Sequence, residues 1–158
     1  KLKKGKFDER ENIINRLIKK TPNIRFDLYG LDNKQPVWAD DFIEAISQSK
    51  IGLNLSQGSP AKYYSSDRFA QIVGNGLLVM IDKKTQFNDF FNNDEIVTYN
   101  NISDLSEKII KYSNDDKLRK HIAKKGRNKY FKYFNSTVIA DFIIKKTLHI
   151  KHEKFYWE

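Results

Sequence analysis

The sequence predicts an α/β domain of three layers, with a parallel sheet sandwiched between helices. Two observations predict it. Amphipathic helical stretches alternate with short apolar strands along the 158 residues, in the order helix, strand, helix, strand, helix, strand. Strands joined by helix-length connections pair in parallel through right-handed crossovers. The run Gly76–Asp82, GLLVMID, is also apolar almost throughout, as a strand buried on both faces requires.

The elements follow in order. From Asp8 to Lys20, Ile13, Ile14, Leu17 and Ile18 share one helical face, and Pro22 lies just past the end. Ile24–Tyr29 alternates apolar and polar residues as a strand does, and Gly30 stops it. A turn-rich loop leads to a helix over Ala39–Gln48, with Phe42, Ile43 and Ile46 facing inward. Lys50–Leu55 is the next strand, followed by the loop Ser56-Gln57-Gly58-Ser59-Pro60. A helix over Ser66–Val73 opens on Ser65-Ser66-Asp67 and ends at Asn75-Gly76. Leu77–Ile81 is a buried strand, Phe87–Phe91 one or two helical turns, and Glu95–Tyr99 a further strand. Helices over Asp104–Ser113, Asp116–Tyr133 and Thr137–Leu148 finish the chain. No repeat or linker divides it, so residues 1–158 read as a single domain.

Composition narrows the function classes. A hydrophobic fraction of 39% is ordinary for a folded domain, and a chain of this size buries about 70% of its unfolded surface. No apolar run approaches the ~20 residues that span a bilayer, and the basic amino terminus lacks the apolar stretch of a signal peptide. A cytoplasmic domain is the simplest expectation. With no cysteine there is neither a disulfide nor a thiolate metal site. The net charge of +9 comes mostly from lysine, amid abundant Asn and Ile, a composition that an AT-rich genome produces by drift. Base readout needs arginine more than lysine, so nucleic acid is not the expected partner. The basic face of Arg119–Lys132 reads as a solvated helix surface, with an anionic membrane as the alternative.

In sheets of this class, ligands bind beyond the carboxyl ends of the strands. The segment from Asn54 to Gln71, NLSQGSPAKYYSSDRFAQ, supplies such a place: a strand end, a loop, then a helix start whose free amides favour an anion such as a diphosphate. Arg68 in the first turn has two readings, a fork to phosphate oxygens or a solvated surface charge. Tyr63 and Tyr64 are placed to stack on a base or sugar, and Ser56, Ser65, Ser66 and Gln71 to bond hydroxyls. His149, His152 and Glu153 have ligand chemistry but sit in an aromatic, basic tail, and no metal site is assigned.

Ser66–Leu78, SDRFAQIVGNGLL, resembles the signature R-x-F-E-x-x-x-x-G-x-L-L of the carboxyl-terminal domain of GT-B glycosyltransferases, in particular the bacterial cell-surface and spore-coat-like group. Pro22–Gly30 and Ser49–Ser56 resemble that family's second and third strands, and Asp94–Lys111 its strand-then-helix segment. Asp115–Phe134 resembles the following helix, written D-x-x-x-R-x-x-x-A-x-x-G-R. The resemblance covers nearly all of Asp8–Phe142.

The resemblance implies a Rossmann-like half of a GT-B fold that binds a nucleoside-diphosphate sugar. It also implies an acceptor held by an amino-terminal domain, and a role in cell-surface polysaccharide or glycoconjugate synthesis at the inner face of the membrane. On that basis the domain lacks its opening strand and is inactive alone. No cofactor or metal is implied, and no catalytic residue is assigned. The family's acidic ribose contact falls on Gln71, its earlier acidic position on Tyr63, and its diphosphate-facing part on Arg68 and the amides near Ser65 and Ser66. Gly74 and Gly76 fall on residues that close the helix onto the sheet. Lys3–Lys6 and Arg10 resemble the family's glycine loop and helix start; Lys4, Lys6 and Arg10 either meet donor phosphates or form a frayed basic end. Phe155, Tyr156 and Trp157 are expected as exposed apolar residues facing a lost partner surface. The alternative from another class is a non-catalytic Rossmann-like module that docks its basic surface on nucleic acid or membrane.

Overall fold

In the computed structural model, residues 2–3, 6–7, 9–31, 34–64 and 66–158 are described, with side chains from residue 9 onward. The chain opens on two short strands, β1 (Leu2–Lys3) and β2 (Lys6–Phe7), paired antiparallel as a sheet of their own. Helix α1 (Glu9–Lys20) follows, then α2 (Ala39–Ser47), β3 (Ile51–Asn54), α3 (Asp67–Gly74) and β4 (Leu78–Asp82). Two 3-10 turns, Lys83–Thr85 and Phe87–Asp89, lead to β5 (Val97–Tyr99), and α4 (Ile102–Asn114), α5 (Asp116–Tyr133) and α6 (Ser136–Thr147) complete the chain.

Among the described residues the main sheet has three strands in the order β3-β4-β5, all parallel. β4 is the centre, and its alternation builds two cores. Leu78 and Met80 meet Leu17 of α1 and Leu105 and Ile109 of α4. Val79 and Ile81 meet Phe69, Ile72 and Val73 of α3 on the opposite face. A strand with full helical cover on both sides must be apolar at successive positions, which is why GLLVMID reads continuously. The fold is the expected Rossmann-like three-layer α/β/α arrangement.

Two close approaches set the spacing of the layers. A Cβ at Gly52 in β3 would lie 2.5 Å from Ile72, so α3 rests directly on the bare strand. A Cβ at Gly126 in α5 would lie 2.1 Å from the Glu95 carbonyl oxygen, so α5 rests on the backbone leading into β5. The rest of the D-x-x-x-R-x-x-x-A-x-x-G-R pattern is equally architectural. Asp115 caps α5 by accepting from the Leu118 amide at 2.8 Å. Arg119, 4% exposed, donates to the Tyr112 carbonyl and to Asp116. Ala123 is buried, and Arg127 donates to the Gly74 carbonyl at 3.0 Å, tying α5 to the end of α3.

Several expectations are corrected. Ile24–Tyr29 is not a strand; residues 25–28 run outside the sheet, although Ile24 and Phe26 still pack on the α1–α4 core. Alternation specifies which side chains face the core, and that requirement is met here without ladder hydrogen bonds. Ile43 is 57% exposed, so α2 turns Ile46 rather than Ile43 onto the core. Gly76 has φ of +79°, which explains a glycine there, but a Cβ at Gly74 would meet nothing within 4 Å; Gly52 closes α3 onto the sheet instead. The carboxyl tail folds back onto α5 and α6: Phe155 and Trp157 are half-buried, while Tyr156 stays 43% exposed as expected. Trp157 stacks on Phe134 at 5.5 Å, Phe155 packs on Phe142, and Tyr156 stacks on Tyr133 at 4.3 Å. Among the described residues no helix is long and apolar enough to cross a membrane.

Candidate functional site

The segment marked from the sequence begins where β3 ends. Asn54 closes the strand and is only 4% exposed, so its side chain needs a partner. It finds one in Ser66, whose Oγ donates to Asn54 Oδ1 at 3.0 Å. This pulls the start of α3 against the carboxyl end of β3. Arg68 adds a second tie, donating from its guanidinium to the Leu55 carbonyl at 3.2 Å.

The consequence for the helix start is specific. Ser66 stands at the cap position, but its hydroxyl is spent on Asn54 and makes no cap bond to an α3 amide. Helices α4, α5 and α6 differ: Asn101, Asp115 and Asn135 each accept from a first-turn amide. The start of α4 also carries the Asp104 carboxylate, held by Asn100 and Lys108, which together outweigh its burial and depress its pKa. The amino end of α3 therefore keeps its positive dipole end without a capping side chain, at the rim of the sheet.

Positive charge gathers at the same end. The Arg68 guanidinium is half-buried, and burial lowers its pKa from the usual arginine value. The nearby charge of Arg10 lowers it further, while Asp67 and Tyr64 oppose the shift. Arg10 lies in the first turn of α1 and is half-buried. A guanidinium beside a helix start, with a second cation near enough for its charge to be felt, is a combination that favours an anion. The sequence names both arginines as candidates, and in the fold the charge of Arg10 reaches Arg68.

The remaining candidates sort by what they touch. Ser56 is half-buried just after Leu55. Tyr64 is 59% exposed on the loop near Arg68. Tyr63 is an anchor: its backbone sits at φ +59°, its amide donates to the Thr85 carbonyl at 2.8 Å, and its hydroxyl donates to Asp89 at 2.8 Å. Its ring packs on Phe90 at 4.8 Å. Gln71 donates from its amide to the Asp67 carboxylate at 2.7 Å, one helical turn back. Ser65 lies outside the described residues, as do Lys4 and the side chain of Lys6.

Sequence reasoning missed Asn54 as a site residue, and it missed the wall formed after β4. Asp82 ends β4 and accepts from the Lys84 amide, turning the chain so that Thr85 O meets Tyr63. Burial, and then the charge of Asp82, raise the pKa of Tyr99 at the end of β5. The only available signal for Asn54 is a polar residue closing an apolar strand, which is a weak one. A separate groove of about 370 Å³ lies between α5 and the tail, lined by Lys125, Lys129, Lys132 and Tyr156 among others, with no wall from the loop after β3. Among the described residues no cluster of three His, Cys, Asp or Glu side chains is placed to hold a metal.

Comparison with known proteins adds the family. A family model described as glycosyl transferase-like matches residues 9–145, from the first helix through most of the last. Neither the curated proteins nor the solved structures contain a match. A match across this span, on a Rossmann-like α/β fold, identifies the chain as a member of the glycosyl transferase-like family.

Proposed function

We propose that this chain is the donor-binding half of a GT-B-type glycosyltransferase, taking a nucleoside-diphosphate sugar at the amino end of α3. The observation that carries the reading is the uncapped start of α3, with Arg68 tied to the Leu55 carbonyl at the strand end and the charge of Arg10 near enough to act on it. The first-turn amides and Arg68 bind the diphosphate, and Tyr64 offers its exposed ring to the base or sugar. As the glycosidic bond breaks, negative charge builds on the departing nucleoside diphosphate, and fixed positive groups at that point lower the barrier. Two guanidiniums and a helix dipole supply the charge that a metal supplies in other sites, so transfer proceeds without one. The acceptor is held by a second domain, and the chain alone binds nucleotide without turnover.

The proposed setting is bacterial cell-surface polysaccharide or glycoconjugate synthesis in the cytoplasm, with peripheral contact to anionic lipid through the lysine face of α5. Support for that contact is the row of exposed cations on α5, including Lys120, Lys124 and Lys132. The test is a thermal-shift titration. Millimolar UDP or GDP raises the melting temperature, and Arg68→Ala removes the rise. No nucleotide effect, together with tight duplex binding that falls steeply with salt, would instead establish a nucleic-acid-binding module.

A further inference from the structure

The loop that carries Tyr63 and Tyr64 is braced from an unexpected direction. Tyr63 is fixed at four points: amide to Thr85, hydroxyl to Asp89, ring to Phe90, and the Lys62 ammonium over the ring at 4.6 Å. Two of these partners, Asp89 and Phe90, belong to the short 3-10 turn after β4 and the residue that ends it. That turn is anchored in the core through Phe87 and the following Phe91, which pack on Phe69, while the Phe90 carbonyl faces the tail. The carboxyl tail adds a further tie: the Tyr156 hydroxyl donates to the Phe90 carbonyl at 2.9 Å, from a residue 66 positions away.

Tyr156 is itself held firmly. Its ring stacks on Tyr133 of α5 at 4.3 Å and meets Phe134 edge-on at 5.8 Å. Two residues on, Glu158 pairs with Lys146 of α6 at 2.5 Å and accepts from the Phe155 amide. A continuous line of contacts therefore runs from α5 and α6 through Tyr156 to Phe90, from Phe90 to Tyr63, and along one peptide bond to Tyr64 beside Arg68. We propose that Tyr156 is a positioning residue for the nucleotide pocket, holding Phe90 against Tyr63 so that the Tyr64–Arg68 wall keeps its place. This rests on the donor-site reading, and it assigns the carboxyl tail a role in nucleotide affinity beyond stability.

The test uses the whole chain and two probes, UDP and GDP. Tyr156→Phe keeps the ring stack and removes the hydroxyl's hydrogen bonds to Phe90 and to Lys129. Loss of one such bond is expected to weaken nucleotide binding about three- to tenfold. In a Tyr63→Ala background, where Phe90 has no ring to hold, Tyr156→Phe is expected to cost nothing more. Amide exchange provides a readout that needs no ligand: the peptide containing Tyr63 exchanges faster in Tyr156→Phe than in the parent chain. Ile109→Val, which loosens the opposite core, lowers the melting temperature and leaves both readouts alone. A parent chain that binds while Tyr156→Phe binds equally well, or shows unchanged exchange at Tyr63, overturns the inference alone. A parent chain that binds neither nucleotide overturns the donor-site reading, and with it this role for Tyr156.

Discussion

Gly126→Ala in α5 should destabilise the protein even though it improves helix propensity. Alanine is favoured over glycine within a helix by about 1 kcal/mol. Against that, the new Cβ would lie 2.1 Å from the Glu95 carbonyl oxygen, where real Cβ contacts essentially never fall under 3.0 Å. The obstacle is backbone, which cannot rotate away, so α5 or the lead-in to β5 must move by roughly an ångström. That movement disturbs buried Ala123 and Ile122 and the Lys129–Glu95 pair, which closes at 2.7 Å. Overpacking of this kind costs about 1–3 kcal/mol net. For a chain of this length each kcal/mol lowers the melting temperature by about 2–4 °C. Gly74→Ala is the matched control: its Cβ meets nothing within 4 Å, so the same chemical change there should be neutral or stabilising. Differential scanning calorimetry of both variants decides the matter. A Gly126→Ala protein that melts at or above the parent temperature would refute the close approach of α5 to Glu95.

Two further predictions follow from the ion pairs. Lys129 has a raised pKa because hydrogen bonds to Glu95 and Tyr156 outweigh its burial; Lys129→Ala leaves the Glu95 carboxylate, 16% exposed, without its cation and should cost about 1–2 kcal/mol in urea unfolding. Asp116 is depressed to about 2, first by its hydrogen bond to Arg119 and also by Lys50. A depressed carboxylate contributes stability above its unfolded pKa of about 4 and loses it as pH falls towards 2. Asp116→Asn should therefore flatten the acid side of the stability profile between those values, and an unchanged profile would contradict the pairing.

What the sequence could reveal follows from which contacts are local. Helices α1, α3, α5 and α6 lie within a few residues of their expected bounds because periodicity and caps are short-range signals. β4 was legible because two-sided burial leaves a continuous apolar run. The segment at residues 25–28 was not, since a strand pattern describes side-chain faces and says nothing about whether a neighbouring backbone is there to pair. The tail misled for a related reason. Tyr156 is exposed as expected, but Phe155 and Trp157 are half-buried because α5 and α6 present Phe134 and Phe142 to them. At the site, the sequence marked Arg10 and Arg68 separately, while the reach of one charge to the other is a property of the fold. The diversion of Ser66 from capping to Asn54 depends on a contact across 12 positions, which no local rule anticipates.

The central claim is that the first turn of α3 receives a diphosphate. Two-dimensional NMR of the labelled chain, titrated with UDP and then GDP, measures that directly through the backbone amides of Asp67 and Arg68 and the side-chain signal of Arg10. The account predicts that these resonances move first and furthest, and that Arg68→Ala removes the response. Shifts confined to Lys125, Lys129 and Lys132 on α5, or no shifts at all, would contradict it.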